Sequence, residues 1–173
     1  MTKVAIIGGG AAGLLAGIAA AQNGAQVTIF EKMRLPGKKI MITGKGRCNI
    51  TNACEIPEFI KNIPGNGRFL NSALHRFTND DIVLLLESHG LQTKVERGGR
   101  IFPVSDKAKD VVDTLVKIFT EAGGKLQLDT KVIEILAKDG QVTGVKTISG
   151  VYPADAVILA AGGASYPGTG SDG

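Results

Sequence analysis

Three glycines and one acid carry the first chemical signal in this sequence. Gly8, Gly10 and Gly13 stand in the pattern GxGxxG within GGGAAG, and Glu31 closes the stretch QVTIFE. The bare pattern is a weak signal, but its setting strengthens it. It follows the uncharged run 4–7, which reads as a buried parallel strand, and it opens residues 11–22, which read as a helix ending at Asn23-Gly24. The acid then sits at the end of a second strand, 26–31, which completes a βαβ unit. Each part has a physical task in holding a dinucleotide. Gly8 makes the tight turn, Gly10 lets a pyrophosphate approach the backbone, and Gly13 lets the helix pack on the strand. Ala11 and Ala12 open the helix, whose N-terminus offers unpaired N–H groups and partial positive charge to phosphate. Glu31 can accept from both ribose hydroxyls, and its charge disfavours a 2′-phosphate.

A second stretch, TGKGRCNITN at 43–52, combines glycines, cations and one of the two cysteines. It fails as a P-loop: GxxxxGK[ST] needs glycine where Lys39 stands and serine or threonine where Gly46 stands. Cys48 and Cys54 fit neither a zinc pattern nor a CxxC redox motif, and no metal site is expected. Cys48 reads as a packing residue, with redox partner or proton donor as the sharper alternatives; a nearby Arg47 would lower its pKa. Lys32, Arg34, Lys38, Lys39, Lys45 and Arg47 form a run of cations without an acid among them. The run suits phosphate attraction or a plain solvated surface. No aromatic residue occurs between 31 and 58, so the stretch lacks base-stacking support for nucleic acid.

These residues need a scaffold to place them. The chain of 173 residues suffices for one domain with a real core, and 43% hydrophobic with 21% charged residues is ordinary globular composition. With no tryptophan and 5% aromatics, Val, Ile, Leu and Ala must build that core. The net charge of +4 permits an anionic ligand without demanding nucleic acid. Residues 4–21 are uncharged, but Gly8-Gly9-Gly10 would break a signal-peptide helix, and no other stretch is long enough for a membrane span, so the reading is cytoplasmic.

Beyond 31 the signals continue. Asn79 is read as the cap of a helix through His89, with Ile82, Leu85, Leu86 and His89 on one face and Gly90 as its stop. Ser105 or Asp106 is read as opening another helix with Ala108, Val111, Val112, Leu115, Ile118 and Ala122 inward, stopped by Gly123-Gly124. Residues 125–128 read as a strand. Segments 131–138 and 141–148 flank Asp139-Gly140, a two-residue hairpin turn, and lead into Val151-Tyr152. AVILA at 156–160 reads as another buried strand. The fold class is α/β: a Rossmann-like domain with a parallel sheet, flanking helices and an antiparallel meander. An FAD-type rather than NAD-type domain is favoured by the motif at the N-terminus, by Gly17 and Gly24, and by the meander followed by AVILAAGG, which resembles the glutathione-reductase type.

Three stretches carry a more specific resemblance: LPGKKIMITGKGRCNITN, ERGGRIFPVSDKA and AAGGASYPGTGSDG. Together they resemble the HI0933-like (BaiN/YhiN-type) family of FAD/NAD(P)-binding oxidoreductases, with a more distant likeness to fumarate reductase flavoproteins. The resemblance implies FAD as cofactor, held by Gly8, Gly10, Ala11, Ala12, Gly13, Glu31, Lys32 and Lys39. Thr43, Gly44, Gly46, Arg47, Cys48 and Asn49 are expected along the cofactor from pyrophosphate toward the ring. Val132 is expected against adenine, with Ala161, Gly162 and Gly163 passing close by. It further implies reduction by NAD(P)H and passage of hydride to an organic acceptor with an activated C=C bond, either a small molecule or an RNA base. No catalytic residue stands out; Cys48, Tyr166 and Arg100 are candidates. Family members are roughly twice this length, so residues 1–173 are expected to be the N-terminal portion of an FAD-binding domain. The substrate domain and the C-terminal return would then lie outside this chain, which alone would be inactive. The alternatives are an NAD-dependent dehydrogenase using the same site, and a non-catalytic nucleotide- or RNA-binding module.

Overall fold

A computed structural model describes residues 1–171; Asp172 and Gly173, the end of the AAGGASYPGTGSDG stretch, lie outside the described residues. In chain order the elements are β1 (Lys3–Ile7), α1 (Ala11–Gln22), β2 (Gln26–Phe30), α2 (Lys38–Ile42), β3 (Thr51–Asn52), α3 (Ile56–Lys61), α4 (Asn71–Arg76), α5 (Asn79–Glu87), β4 (Thr93–Glu96), β5 (Arg100–Pro103), α6 (Ala108–Glu121), β6 (Lys125–Gln127), β7 (Val132–Lys138), β8 (Gln141–Thr147), β9 (Gly150–Pro153) and β10 (Ala156–Leu159). They fall into two compact units, one of residues 1–40 with 115 onward, the other of residues 41–114. Among the described residues no helix is long and apolar enough to cross a membrane.

The first unit is built on a parallel sheet in the order β10-β1-β2-β6. The first βαβ unit has the bounds its hydrophobic runs suggest. Val4, Ile6, Val27 and Ile29 alternate with Ala5, Ile7, Thr28 and Phe30 along two paired strands, so the sheet has two apolar faces. On one face α1 packs so closely that a Cβ at Gly17 would lie 2.9 Å from both Ile29 and Phe119. That gives Gly17 a packing role. On the other face the antiparallel meander β7-β8-β9 contributes Val145 and Ala154, which bury with Ala5 and Phe30. Tyr152 meets the Phe30 ring edge-on, with centroids 4.9 Å apart. Asp139 and Gly140 both have positive φ, 51° and 77°, the geometry of the expected hairpin turn. One expectation is corrected here: β10 is not a buried strand. It is the edge of the sheet, and Leu159 is 70% exposed.

The second unit holds the antiparallel sheet β3-β5-β4 and the helices α3, α4 and α5. Phe102 of β5 is 2% exposed and anchors it. Two helix starts differ from the sequence reading. The cap of α5 is Thr78, not Asn79: the Thr78 hydroxyl accepts from the Asp81 amide, and the Asp81 carboxylate accepts from the Thr78 amide. Asn79 is instead buried, and its amide donates to the carbonyls of Asn52 (2.7 Å) and Cys54 (3.0 Å). Likewise Asp106 does not cap α6; its backbone is left-handed (φ 55°) and its carboxylate turns to Lys94 and Arg47.

Candidate functional site

In the first unit, three segments leave the same edge of the parallel sheet. β1 runs into Gly8, β2 into Glu31, and β10 into Ala160; the Gly8 amide donates to the Phe30 carbonyl at 2.8 Å and the Ala160 amide to the Ile7 carbonyl at 2.9 Å. In an open α/β sheet this carboxyl edge is where ligands bind. The glycine turn is held tightly from inside. Gly8 has φ 109°, and a Cβ on it would collide with the Ala160 carbonyl oxygen; a Cβ on Gly13 would collide with the carbonyl oxygen of Gly8. Gly10 differs from both. It is the N-cap of α1, and no atom lies within 4 Å of where its Cβ would be. The first intrahelical bond runs from Leu14 to Gly10, so Ala11, Ala12 and Gly13 are the orphan donors of a twelve-residue helix with no acid in its first turn. The turn is therefore a cradle open over Gly10 and lined with N–H groups, the arrangement that suits an anion.

Glu31 has partners that the sequence did not suggest. Its Oε2 accepts from the Gly9 amide and its Oε1 from the Met33 amide, both at 2.8 Å. Each oxygen has a second lone pair, so hydroxyl donors can still be accepted. Val132 begins β7 two residues after Thr130, whose amide donates to the Glu31 carbonyl at 2.9 Å, and it packs against the Ala5–Phe30–Val145–Ala154 cluster. The segment after β10 returns to the residues after β2. Lys39 Nζ lies 3.3 Å from Ser165 Oγ and near Gly162, Lys38 Nζ donates to the Gly168 carbonyl, and Lys32 lies beside Gly170. The unit thus gathers Gly8, Gly10, Ala11, Ala12, Gly13, Glu31 and Val132 with Lys32, Lys39 and Gly162. Ala161, Gly162 and Gly163 are exposed, as is Tyr166, which sits left-handed at φ 57°.

The TGKGRCNITN stretch lies in the second unit. Gly44, Lys45, Gly46 and Cys48 all have positive φ (55°, 60°, 87° and 62°), which breaks any helix at this point. Thr43, Lys45, Gly46 and Asn49 are exposed; Cys48 is buried at 5% exposure. Burial pushes the Cys48 thiol up, offset in part by a hydrogen bond with Thr43, so the surroundings disfavour the thiolate. Both cysteines are free. Arg47 holds the bidentate fork of Glu96 (2.8 and 3.2 Å), reaches Asp106 at 3.2 Å, and lies 4.1 Å from the centre of the Phe102 ring. These hydrogen bonds, the Glu96 one first, raise the Arg47 pKa. Arg100 donates from Nε to the Arg97 carbonyl and is exposed at the β4–β5 turn.

Sheet order, crossover helix and glycine turn together define a Rossmann-type α/β domain. The chain belongs to the family described as HI0933-like protein Rossmann domain, whose model matches residues 2–173. Among curated relatives, it is 41% identical over 192 aligned positions to the 3-dehydro-bile acid delta(4,6)-reductase of Clostridium scindens, covering 100% of this chain and 42% of that protein. It is 33% identical to the ribosomal RNA dihydrouridine synthase of Escherichia coli, covering 96% of this chain and 40% of that one. The chain therefore spans about two fifths of the length of these relatives. Among solved structures, Sdh1 of Mycobacterium smegmatis matches with TM-score 0.69 at 22% identity over 94% of this chain and 34% of that one. L-proline dehydrogenase from P. horikoshii matches with TM-score 0.64 at 15% identity, over 94% of this chain and 53% of that one. At these identities the two structures support the fold alone.

Proposed function

We propose that this chain is the FAD-binding part of a flavin-dependent oxidoreductase that takes reducing equivalents from NAD(P)H and saturates an activated carbon–carbon double bond. The observation that carries the cofactor assignment is the cradle of the first unit, open over Gly10, rimmed by the N–H groups that start α1 and flanked by the Glu31 carboxylate. The family assignment supports it. The two curated relatives support the reaction class, since a delta-reductase and a dihydrouridine synthase are both named for adding hydrogen across a double bond.

The residues present fit the group. The amides of Ala11, Ala12 and Gly13 would hold a pyrophosphate, and the α1 dipole would favour its charge. Gly10 leaves the room for that approach. Glu31 would accept ribose hydroxyls on the lone pairs that Gly9 and Met33 leave open, and would repel a 2′-phosphate. Lys39 places a cation beside Gly162, where the chain leaves β10. FAD, when bound, supplies the two-electron chemistry; the chain binds, orients and screens it.

The test is direct. The purified full-length protein that carries this chain, incubated with FAD and desalted, should retain a flavin absorbance spectrum and bleach anaerobically with NADH or NADPH. A colourless protein that takes up no FAD overturns the reading, and NAD binding in its place would favour a dehydrogenase.

A further inference from the structure

We propose that Glu96 and Asp106 are positioning residues that hold Arg47 against Phe102 and so fix residues 43–49 as a preformed loop. The loop has an uncommon backbone. Lys45 and Cys48 are side-chain-bearing residues in left-handed conformation, at φ 60° and 62°, and such residues persist only where their surroundings over-determine them. Inside the loop the Arg47 amide donates to the Gly44 carbonyl at 3.3 Å and the Cys48 amide to the Thr43 carbonyl at 3.1 Å. The fixing contacts come from outside. Gly44 packs so close to Phe102 that a Cβ there would lie 2.9 Å from the ring edge. Arg47 covers the same ring and extends its fork to Glu96 and Asp106.

The partners are arranged for this task. Lys94 and Glu96 stand two residues apart on β4, on one face, with Phe102 directly opposite Lys94 on β5. Asp106 accepts from Arg47 through Oδ1 and from Lys94 through Oδ2 (2.7 Å), and Lys94 lies 3.7 Å from Glu96. Each carboxylate therefore meets both cations and the four charges cancel. A guanidinium held by two carboxylates and a ring limits where the Cα of Arg47 can lie. Arg47 lies between the two left-handed residues, so its anchorage sets the loop.

The link to function rests on the reading that this loop contributes to FAD binding. The experiment is amide hydrogen exchange on the purified protein without FAD, combined with FAD titration. It compares wild type with Glu96→Gln, Asp106→Asn, the double variant and Glu96→Asp. Asparagine tolerates the left-handed backbone at 106, so that variant removes charge without moving the chain. In the double variant, amides 44–49 should exchange about tenfold faster and the FAD Kd should rise about tenfold, the equivalent of one lost charge-assisted bond. Amides of β1 and α1 should not change. Glu96→Asp should keep most of the protection, and Glu96→Gln should add nothing once Arg47 is alanine. Unchanged exchange in the loop, or a uniform rise throughout residues 41–114, overturns the proposal. A loosened loop with an unchanged FAD Kd, or a wild type that binds no FAD, leaves the positioning role standing and overturns the loop's link to the cofactor.

Discussion

The carboxylate of Glu31 bridges the amides of Gly9 and Met33, accepting from both at 2.8 Å. An acid at the end of β2 therefore ties the glycine turn after β1 to the chain after β2 before any ligand arrives. Glu31→Ala should strip both amides of their acceptor, at a cost of about 1–3 kcal/mol in half-buried surroundings. Glu31→Gln, which retains one acceptor oxygen, should fall between. Urea unfolding of the ligand-free protein measures this, and an unaltered midpoint for Glu31→Ala would show that water replaces the carboxylate without loss.

Gly10 and Gly13 should part company under the same substitution. An alanine methyl at Gly13 points into the backbone carbonyl of Gly8, which cannot swing aside as a side chain could, and should cost about 3 kcal/mol or more despite the better helix propensity of alanine. At Gly10 the methyl meets open space at φ −82°, so the loss should stay under about 1 kcal/mol, the difference between glycine and alanine as N-cap. Yet that methyl occupies the space a pyrophosphate would need. Gly10→Ala should therefore fold and fail to bind FAD, read by thermal unfolding and flavin titration together; tight FAD binding by this variant would place the ligand elsewhere.

These two glycines were legible because the signals are local. A short apolar run, glycines at fixed spacing and an acid at the next strand end specify β1, α1 and β2 with hardly a residue of error. The misreadings have a different origin. Thr78 and Asn79 are both good cap residues in sequence, and only the reciprocal bond with Asp81 decides between them. The apolar run AVIL looks the same at the edge of a sheet as in its middle. The run of cations from Lys32 to Arg47 holds no acid, yet Arg47 finds two, 49 and 59 residues away. Contacts at such separation leave no periodicity to read.

The cysteines should differ in reactivity. Cys48 is buried and its thiol is pushed up, whereas Cys54 is half-exposed. Under limiting iodoacetamide at neutral pH, peptide mapping should find Cys54 modified well before Cys48. Cys48→Ser should leave FAD bound, since serine preserves size and the bond to Thr43. Preferential alkylation of Cys48, or loss of all turnover in a Cys48→Ser protein that holds FAD, would mark it as a catalytic thiol.

The Arg47 cluster should make stability depend on pH in a defined direction. Glu96 is held below the usual carboxylate range chiefly by its hydrogen bond from Arg47, and Asp106 chiefly by that from Lys94. A carboxylate whose folded pKa is lowered contributes fully above its unfolded value, near pH 4, and loses that contribution as pH falls through the folded value. Asp81, also lowered by Thr78, titrates alike in wild type and variant and cancels from their difference. The gap in urea midpoint between wild type and the Glu96→Gln, Asp106→Asn double variant should therefore be constant from about pH 5 to 8 and close below about pH 4. These charges are partly exposed, so the gap should also narrow as salt is raised. A gap that persists unchanged to low pH would mean that the amides replace the carboxylates as acceptors and that shape, not charge, holds Arg47 on Phe102.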